Sequence, residues 1–251
     1  MSVWSRRRKL SITLIVAIAL IVLFAIPIFL IFYKPPTCFD GMKNGDEIGV
    51  DCGGSCQRLC PSAFITPVIA WTRFEQVSNN LYNVAAYIIN PNIDGEAYRV
   101  PYHLSLYDDH GILIVEQNGT VTLAPHRNSL AFAGAVSVGK RVPAKALFEF
   151  TSIPNWHKRS DPLASLVIGN KNYTEDASGS SLLVSLKNVS AHNLGRMTVY
   201  AILYDVNSNA IGFSKTVIDA ISGYATAQAP FTWPDNRKGK VISIEVLPVA
   251  E

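Results

Sequence analysis

Three patterns of apolar and polar residues follow one another along the chain. From Leu10 to Tyr33 there are 24 consecutive residues without a charge. As a helix this run would extend about 36 Å, against a hydrocarbon thickness of about 30 Å. It therefore predicts a transmembrane helix over 10–33, with room for tilt. Pro27 lies inside it, and a membrane helix tolerates proline because neighbouring groups re-satisfy the freed carbonyl. A cleaved secretory signal has an apolar stretch of about 7 to 15 residues ending at a small-residue site. This run is longer and ends in Ile31-Phe32-Tyr33-Lys34-Pro35-Pro36, so it reads as an uncleaved signal anchor. A short segment dense in Cys, Gly and Asp comes next. Beyond Pro61 short apolar runs are broken by Asn, Gly, Pro and Ser, with no helical stripe of useful length, which is the pattern of β-strands.

The expected strands are Phe64 to Trp71, Tyr82 to Ile89, Tyr102 to Tyr107, Ile112 to Glu116, Ser129 to Val138 and Ala146 to Phe150, then Leu182 to Val189, Met197 to Tyr204, Ala210 to Ile218, Ala225 to Trp233 and Val241 to Leu247. Alternation supports them: Ile242, Ile244 and Val246 take one face, and Ser243 and Glu245 the other. The two sets repeat. Leu106-Tyr107-Asp108 recurs 97 residues later as Leu203-Tyr204-Asp205, and Asn90, Leu113 and Pro125 meet Asn188, Ile211 and Gly223 at a spacing of 98. Constant spacing marks an internal duplication, and a period of about 100 residues is the size of one immunoglobulin-like sandwich. The expected fold is all-β: two tandem Ig-like β-sandwiches behind one transmembrane helix and a small disulfide-rich module. The expected domains are a cytoplasmic basic tail (1–9), the helix (10–33), a cysteine-rich collar (34–62), a first sandwich (63–158) and a second (159–251). The sandwich boundary is placed in the Pro154 to Pro162 stretch, where two prolines flank a charge run.

Charge gives the orientation. Arg6, Arg7, Arg8 and Lys9 abut the start of the apolar run, while Lys34 and Lys43 follow it among Asp40, Asp46, Glu47 and Asp51. The positive-inside rule then places the N-terminus in the cytoplasm and everything after Tyr33 outside the cell membrane. Without the four basic tail residues, 18 basic residues face 19 acidic ones, a formal charge of −1. The pI of 8.6 thus belongs to the anchor and argues for no nucleic-acid partner.

Cys38, Cys52, Cys56 and Cys60 fall within 23 residues, just beyond the anchor. An exported, even set of clustered cysteines reads as a disulfide staple, whereas zinc favours C-x2-C pairs that are absent here. Spacing leaves the pairing open. Two crosslinks of roughly 3 kcal/mol each would replace the apolar core that so short a module lacks, making a stiff collar between anchor and ectodomain. The string from Cys38 to Cys60 resembles the C-x-D-G-x-x-N-G-x-E-x-G-x-D-C-G-G-x-C motif of prokaryotic surface proteins. Within it, Asp40, Asn44, Gly45 and Asp51 fall on positions 1, 5, 6 and 12 of an EF-hand-type loop, though Met42 and Ile48 at positions 3 and 9 supply no side-chain oxygen. Two readings stand. In one, Asp40, Asn44, Asp51 and Asp46 or Glu47 hold a weak extracellular calcium ion; in the other, Asp and Asn form Asx turns that shape the disulfide loop.

Around Leu-Tyr-Asp each repeat resembles the small Ig-like family named for an F-x-L-Y-D signature. Both keep a strand, Leu-Tyr-Asp, a polar turn (Asp109-His110-Gly111; Asn207-Ser208-Asn209) and a returning strand, with Leu104 and Ala201 at the signature's aromatic position. The resemblance implies an exported, often membrane-tethered module without known catalysis.

No G-x-S-x-G, H-E-x-x-H, G-x-G-x-x-G or P-loop string occurs. His103, His110, His126, His157 and His192 are scattered without metal-ligand spacing. Basic groups recur at Lys140-Arg141, His157-Lys158-Arg159 and Arg237-Lys238-Lys240, as solvated turns or as contacts to an anionic envelope polymer. Asn118, Asn172 and Asn188 head N-x-[ST] triplets. The expectation is a non-enzymatic, single-pass surface protein with no resident cofactor beyond the possible calcium. Its Ig-like domains would contact a protein partner in the envelope, with glycan or anionic-polymer binding as the alternative.

Overall fold

The computed structural model describes residues 3–33, 35–60, 63–235, 237 and 239–251; Lys34 and Lys238, counted above among the basic groups, lie outside the described residues. The chain forms two compact units, Met1–Ser55 and Cys56–Glu251. In the first, α1 runs Val3–Phe32, and its segment Leu10–Phe29 is apolar and long enough to cross a membrane. Its apolar side chains are exposed all round, from Leu14 and Ile18 to Leu23 and Phe29, as a helix facing lipid requires and a soluble amphipathic helix does not. Pro27 continues the helix without ending it. All four cysteines are disulfide-bonded.

The second unit is all β. Six strands of a first sandwich, β1 (Val68–Ser78), β2 (Leu81–Ile89), β3 (Gly95–Tyr107), β4 (Leu113–Leu123), β5 (Ser129–Ser137) and β6 (Lys145–Phe150), are followed by the short β7 (Trp156–Lys158). The second sandwich comprises β8 (Leu166–Asp176), β9 (Gly179–Asn188), β10 (Met197–Tyr204), β11 (Ala210–Ile218), β12 (Thr226–Trp233) and β13 (Ser243–Ala250). Sheet orders are β1-β2-β5 and β4-β3-β6, with β7 also pairing β3, then β12-β9-β8 and β11-β10-β13. Every named pairing is antiparallel. Matching β1 to β8, β2 to β9 and so on through β6 and β13 superposes one connectivity on the other, so the sequence repeat is a repeat of topology.

Two strands absent from the expected set, β7 and β8, flank the boundary. The polar run Gly169-Asn170-Lys171-Asn172 hides β8, an edge strand whose mostly exposed side chains and register shift between Ile168 and Lys171 suit a guarded edge. The cysteine-rich segment does not remain one module to its end. Leu59 donates its N–H to Trp156 O at 2.9 Å, and Lys158 donates to Gln57 O at 2.7 Å. Residues 57–59 therefore extend the edge at β7.

Each sandwich encloses its own core. Val84, Ile88, Leu104, Leu106, Leu123 and Trp156 fill the first, and Leu182, Leu186, Met197, Leu203, Phe231 and Trp233 the second. A third apolar cluster lies between them: Ala85, Tyr87, Leu130, Ile202, Ala210, Phe213 and Leu247, flanked by Trp71, Phe132, Tyr200 and Tyr204. The two-residue strand period explains it. On β2, Val84, Ala86 and Ile88 face the first core while Ala85 and Tyr87 face the joint; on β10, Val199, Ala201 and Leu203 face the second core while Tyr200, Ile202 and Tyr204 face the joint. Both strands are thus buried on both faces.

Candidate functional site

Polar groups reinforce the joint. Glu75 of β1 is nearly buried; its Oε2 meets Arg237 Nη2 at 2.7 Å, and its Oε1 accepts the Phe213 N–H at 3.0 Å and the Asn83 amide at 3.4 Å. Burial pushes the Glu75 carboxyl above its ordinary value, and the Phe213 N–H and Arg237 pull it partly back. Arg237, 9% exposed, also reaches Asp235 at 3.1 Å and donates to Ile211 O. Across the same interface the Tyr87 hydroxyl donates to Glu245 Oε1 at 2.7 Å, and within the second sandwich the Tyr204 hydroxyl donates to Oε2 of the same carboxylate at 2.9 Å. Desolvation, then the Glu245 carboxylate, raises both phenols and keeps them neutral donors. At the inter-sandwich linker Arg127 binds Asp161 at 2.7 Å and Leu163 O at 2.9 Å.

The Leu-Tyr-Asp landmark acquires a physical role. Leu106 and Leu203 are core residues, and each aspartate ties a turn. Asp108 Oδ1 accepts the N–H of His110 at 3.1 Å and of Ile112 at 2.8 Å; Asp205 Oδ1 accepts those of Asn207 at 2.9 Å and Asn209 at 2.8 Å. The copies differ in their surroundings. The 205–209 turn meets the first sandwich through Arg73 Nη2, which donates to Asn209 Oδ1 at 3.1 Å. The 108–112 turn lies beside the β5–β6 loop, where Arg141 approaches Asp108 at 3.9 Å and donates to Leu113 O at 3.4 Å, and the exposed Ile112, Leu113 and Val142, the last 73% exposed, give this tip an apolar character.

The repeated Asn90 and Asn188 are buried scaffolds. Asn90 donates to Ala124 O at 2.8 Å and accepts the Asn92 N–H; Asn188 donates to His192, Ile221 and Ser222 carbonyls and accepts the Ser190 N–H. With Asn188 fully buried, its triplet offers no acceptor to a glycosylating enzyme once the chain has folded, whereas Asn118 and Asn172 are exposed. The basic loops are partly consumed internally: Arg159 pairs with Glu96 at 2.6 Å and Arg237 with Glu75. His103 pairs with Asn118 and Glu116, and His110 with its neighbour Asp109, both at the surface.

In the collar, every acid of the proposed calcium set faces N–H donors. Asp40 accepts the N–H groups of Met42 at 2.9 Å and Thr37 at 3.2 Å and the Asn44 amide at 2.8 Å; Asp51 accepts those of Asp40 at 2.9 Å and Gly41 at 3.0 Å. Glu47 accepts the N–H groups of Asn44 and Asp51, and Asp46 binds the N–H and hydroxyl of Ser55. Asn44 Oδ1 is buried without a partner. The Gly-Gly step has its own reason: Gly54 has φ +59°, and a Cβ there would lie 2.1 Å from the Asp46 carbonyl oxygen.

One further feature escaped sequence reading, a cavity of about 310 Å³ where β3 and β4 meet β10 and β13, lined by Tyr98, Arg99, Thr120, Thr122, Thr198 and Tyr200 among others. No pattern marks it, because its residues come from five strands and both sandwiches.

No protein-family model matches the sequence, and neither does any curated protein. Solved structures give distant likenesses. A beta-glucuronidase from glycoside hydrolase family 2 aligns over 68% of this chain and 24% of its own, at 13% identity and TM-score 0.25. A putative beta-galactosidase from Bacteroides fragilis aligns over 68% and 33%, at 12% identity and TM-score 0.21. The chain thus spans about a quarter to a third of the length of those proteins, and overlap this loose says nothing of activity.

Proposed function

We propose that this chain is a single-pass membrane protein, N-terminus cytoplasmic, that holds a rigid pair of Ig-like sandwiches outside the membrane for contacts with a protein partner and performs no catalysis of its own. The carrying observation is the joint. Independent modules on a flexible tether need no shared apolar cluster, whereas here seven buried residues and the Glu75–Arg237 pair fix one sandwich against the other. Fixed geometry serves presentation, because a surface held at one orientation loses less entropy on binding. The surface best suited to it is the Ile112–Leu113–Val142 tip. Its turn matches one that, in the second sandwich, is used for a contact within the chain. Edges such as β8 are guarded against pairing, leaving loops as the usable surfaces.

The test places a photo-crosslinking residue at Val142 or Ile112 of the full-length protein in its native membrane, with exposed Lys187 as control. A discrete adduct with another polypeptide from the tip positions, absent at Lys187, supports the reading; adducts no different from the control overturn it. Terminal tags with protease treatment of intact cells check the topology, only the C-terminal tag being removed.

A further inference from the structure

We propose that the cavity at the sandwich joint is a binding site for a neutral sugar residue, a free monosaccharide or the end of a glycan. The site is independent of the protein-contact tip. Its volume of about 310 Å³ stands at the lower end of ligand-pocket sizes, roughly 300–1,000 Å³, which suits one ring rather than a length of polymer. Junctions between domains are also where such pockets concentrate.

The wall chemistry selects the ligand. Thr120, Thr122 and Tyr200 offer hydroxyls able to donate, Thr198, whose Oγ1 donates to Glu251 at 2.6 Å, offers an acceptor, and Tyr98, 52% exposed, offers an aromatic ring. An apolar ligand would leave the Thr120 and Tyr200 hydroxyls without partners. A strongly anionic ligand is disfavoured because the wall carries a carboxylate, Glu251, as well as the guanidinium of Arg99, and the Glu251 charge acts on the Tyr200 hydroxyl. What remains is a polyhydroxylated neutral molecule that needs many two-way hydrogen bonds and a ring to lie against.

Two local features point the same way. Arg99 has φ +49° and occupies an irregularity in the β3–β4 register between Ala97 and Val100, its N–H reaching Thr122 Oγ1 at 3.3 Å. A bulge of this kind re-aims side chains and sits preferentially beside functional sites, and left-handed backbone at a non-glycine residue stores strain that ordinary strand pairing does not require. Tyr200 has its ring fixed in the joint against Phe132, centroids 6.3 Å apart. Tyr200 lines the cavity, and its hydroxyl makes no hydrogen bond among the described residues. Burial raises its pKa, so it remains a neutral donor.

The test is saturation-transfer NMR on the full-length protein in lipid nanodiscs, free of glycoside detergents, against glucose, galactose, mannose, rhamnose, N-acetylglucosamine and glucuronate. Transfer to at least one neutral sugar is expected. Tyr200→Phe keeps the packed ring and removes only the hydroxyl, weakening binding about three- to tenfold, the effect of one neutral hydrogen bond. Tyr98→Ala, on an exposed side chain, tests the stacking face and is expected to weaken it further. Absence of transfer from every sugar overturns the proposal, as does binding that both variants leave unchanged. Preference for glucuronate over glucose overturns the neutral assignment.

Discussion

Phe213→Ala tests whether the two sandwiches act as one body. Phe213 is 1% exposed and lies in the joint, its ring centroid 6.3 Å from those of Trp71 and Phe132. Truncating a fully buried phenylalanine costs about 3–5 kcal/mol, from lost transfer energy and from the cavity left behind, and about 0.5–1.5 kcal/mol of that order attaches to each aromatic pair. Neither sandwich core contains this side chain, so the whole loss falls on the joint. Three tryptophans report the three regions separately: Trp71 flanks the joint, while Trp156 and Trp233 belong to the first and second cores. In urea unfolding of the full chain in nanodiscs, with single-tryptophan variants as probes, the parent protein should show coincident transitions. In Phe213→Ala the Trp71 signal should change first, and the Trp156 and Trp233 midpoints should separate. A cost below about 1 kcal/mol, within reach of an ordinary surface substitution, or transitions that stay coincident would refute the reasoning.

Glu75→Gln should alter the pH dependence of stability. Burial raises the Glu75 pKa above 4.5, so its contribution is complete below the unfolded value and is lost as pH rises through the folded one. Urea midpoints taken from about pH 4 to pH 8 should fall more steeply in the parent protein than in the variant, and the opposite difference in slope would count against the assignment. Removing one partner of this buried pair should cost about 3–5 kcal/mol, with Glu75→Leu plus Arg237→Met recovering much of it; a double-mutant cycle measures both. Asp205→Ala should destabilise more than Asp108→Ala, about 1–2 kcal/mol for the lost turn bonds in each, because its turn also supports the Arg73–Asn209 contact; equal losses in thermal melts would contradict this. Calcium at millimolar concentration should leave the melting temperature unchanged, since the collar acids point at N–H groups whose positive ends would face the ion; a rise abolished by Asp40→Ala would reverse that reading.

Much of the architecture was legible in one dimension. The uncharged run before Lys34 marked α1, because so long an apolar stretch without a charge has the length and composition of a membrane-crossing helix. The 97-to-98-residue spacing marked the duplication, because Asp108 and Asp205 tie equivalent turns and Asn90 and Asn188 bridge equivalent loops, tasks that tolerate few other side chains. Local patterns of this kind are read from local sequence. Strand β8 was not, since a solvent-facing edge strand imposes no apolar alternation, and polar Asn170 to Asn172 imitate a loop. The joint and its cavity lay further out of reach. Ala85 and Tyr87 look like any residues of a buried strand, and nothing in their order says that the face opposite the first core meets Phe213 and Leu247 more than a hundred residues away. Arg237 reads as a solvated turn until Glu75 closes on it. Which faces of two sandwiches meet depends on the shape and charge of whole sheets, a sum over distant residues, so it was decided only when the chain folded.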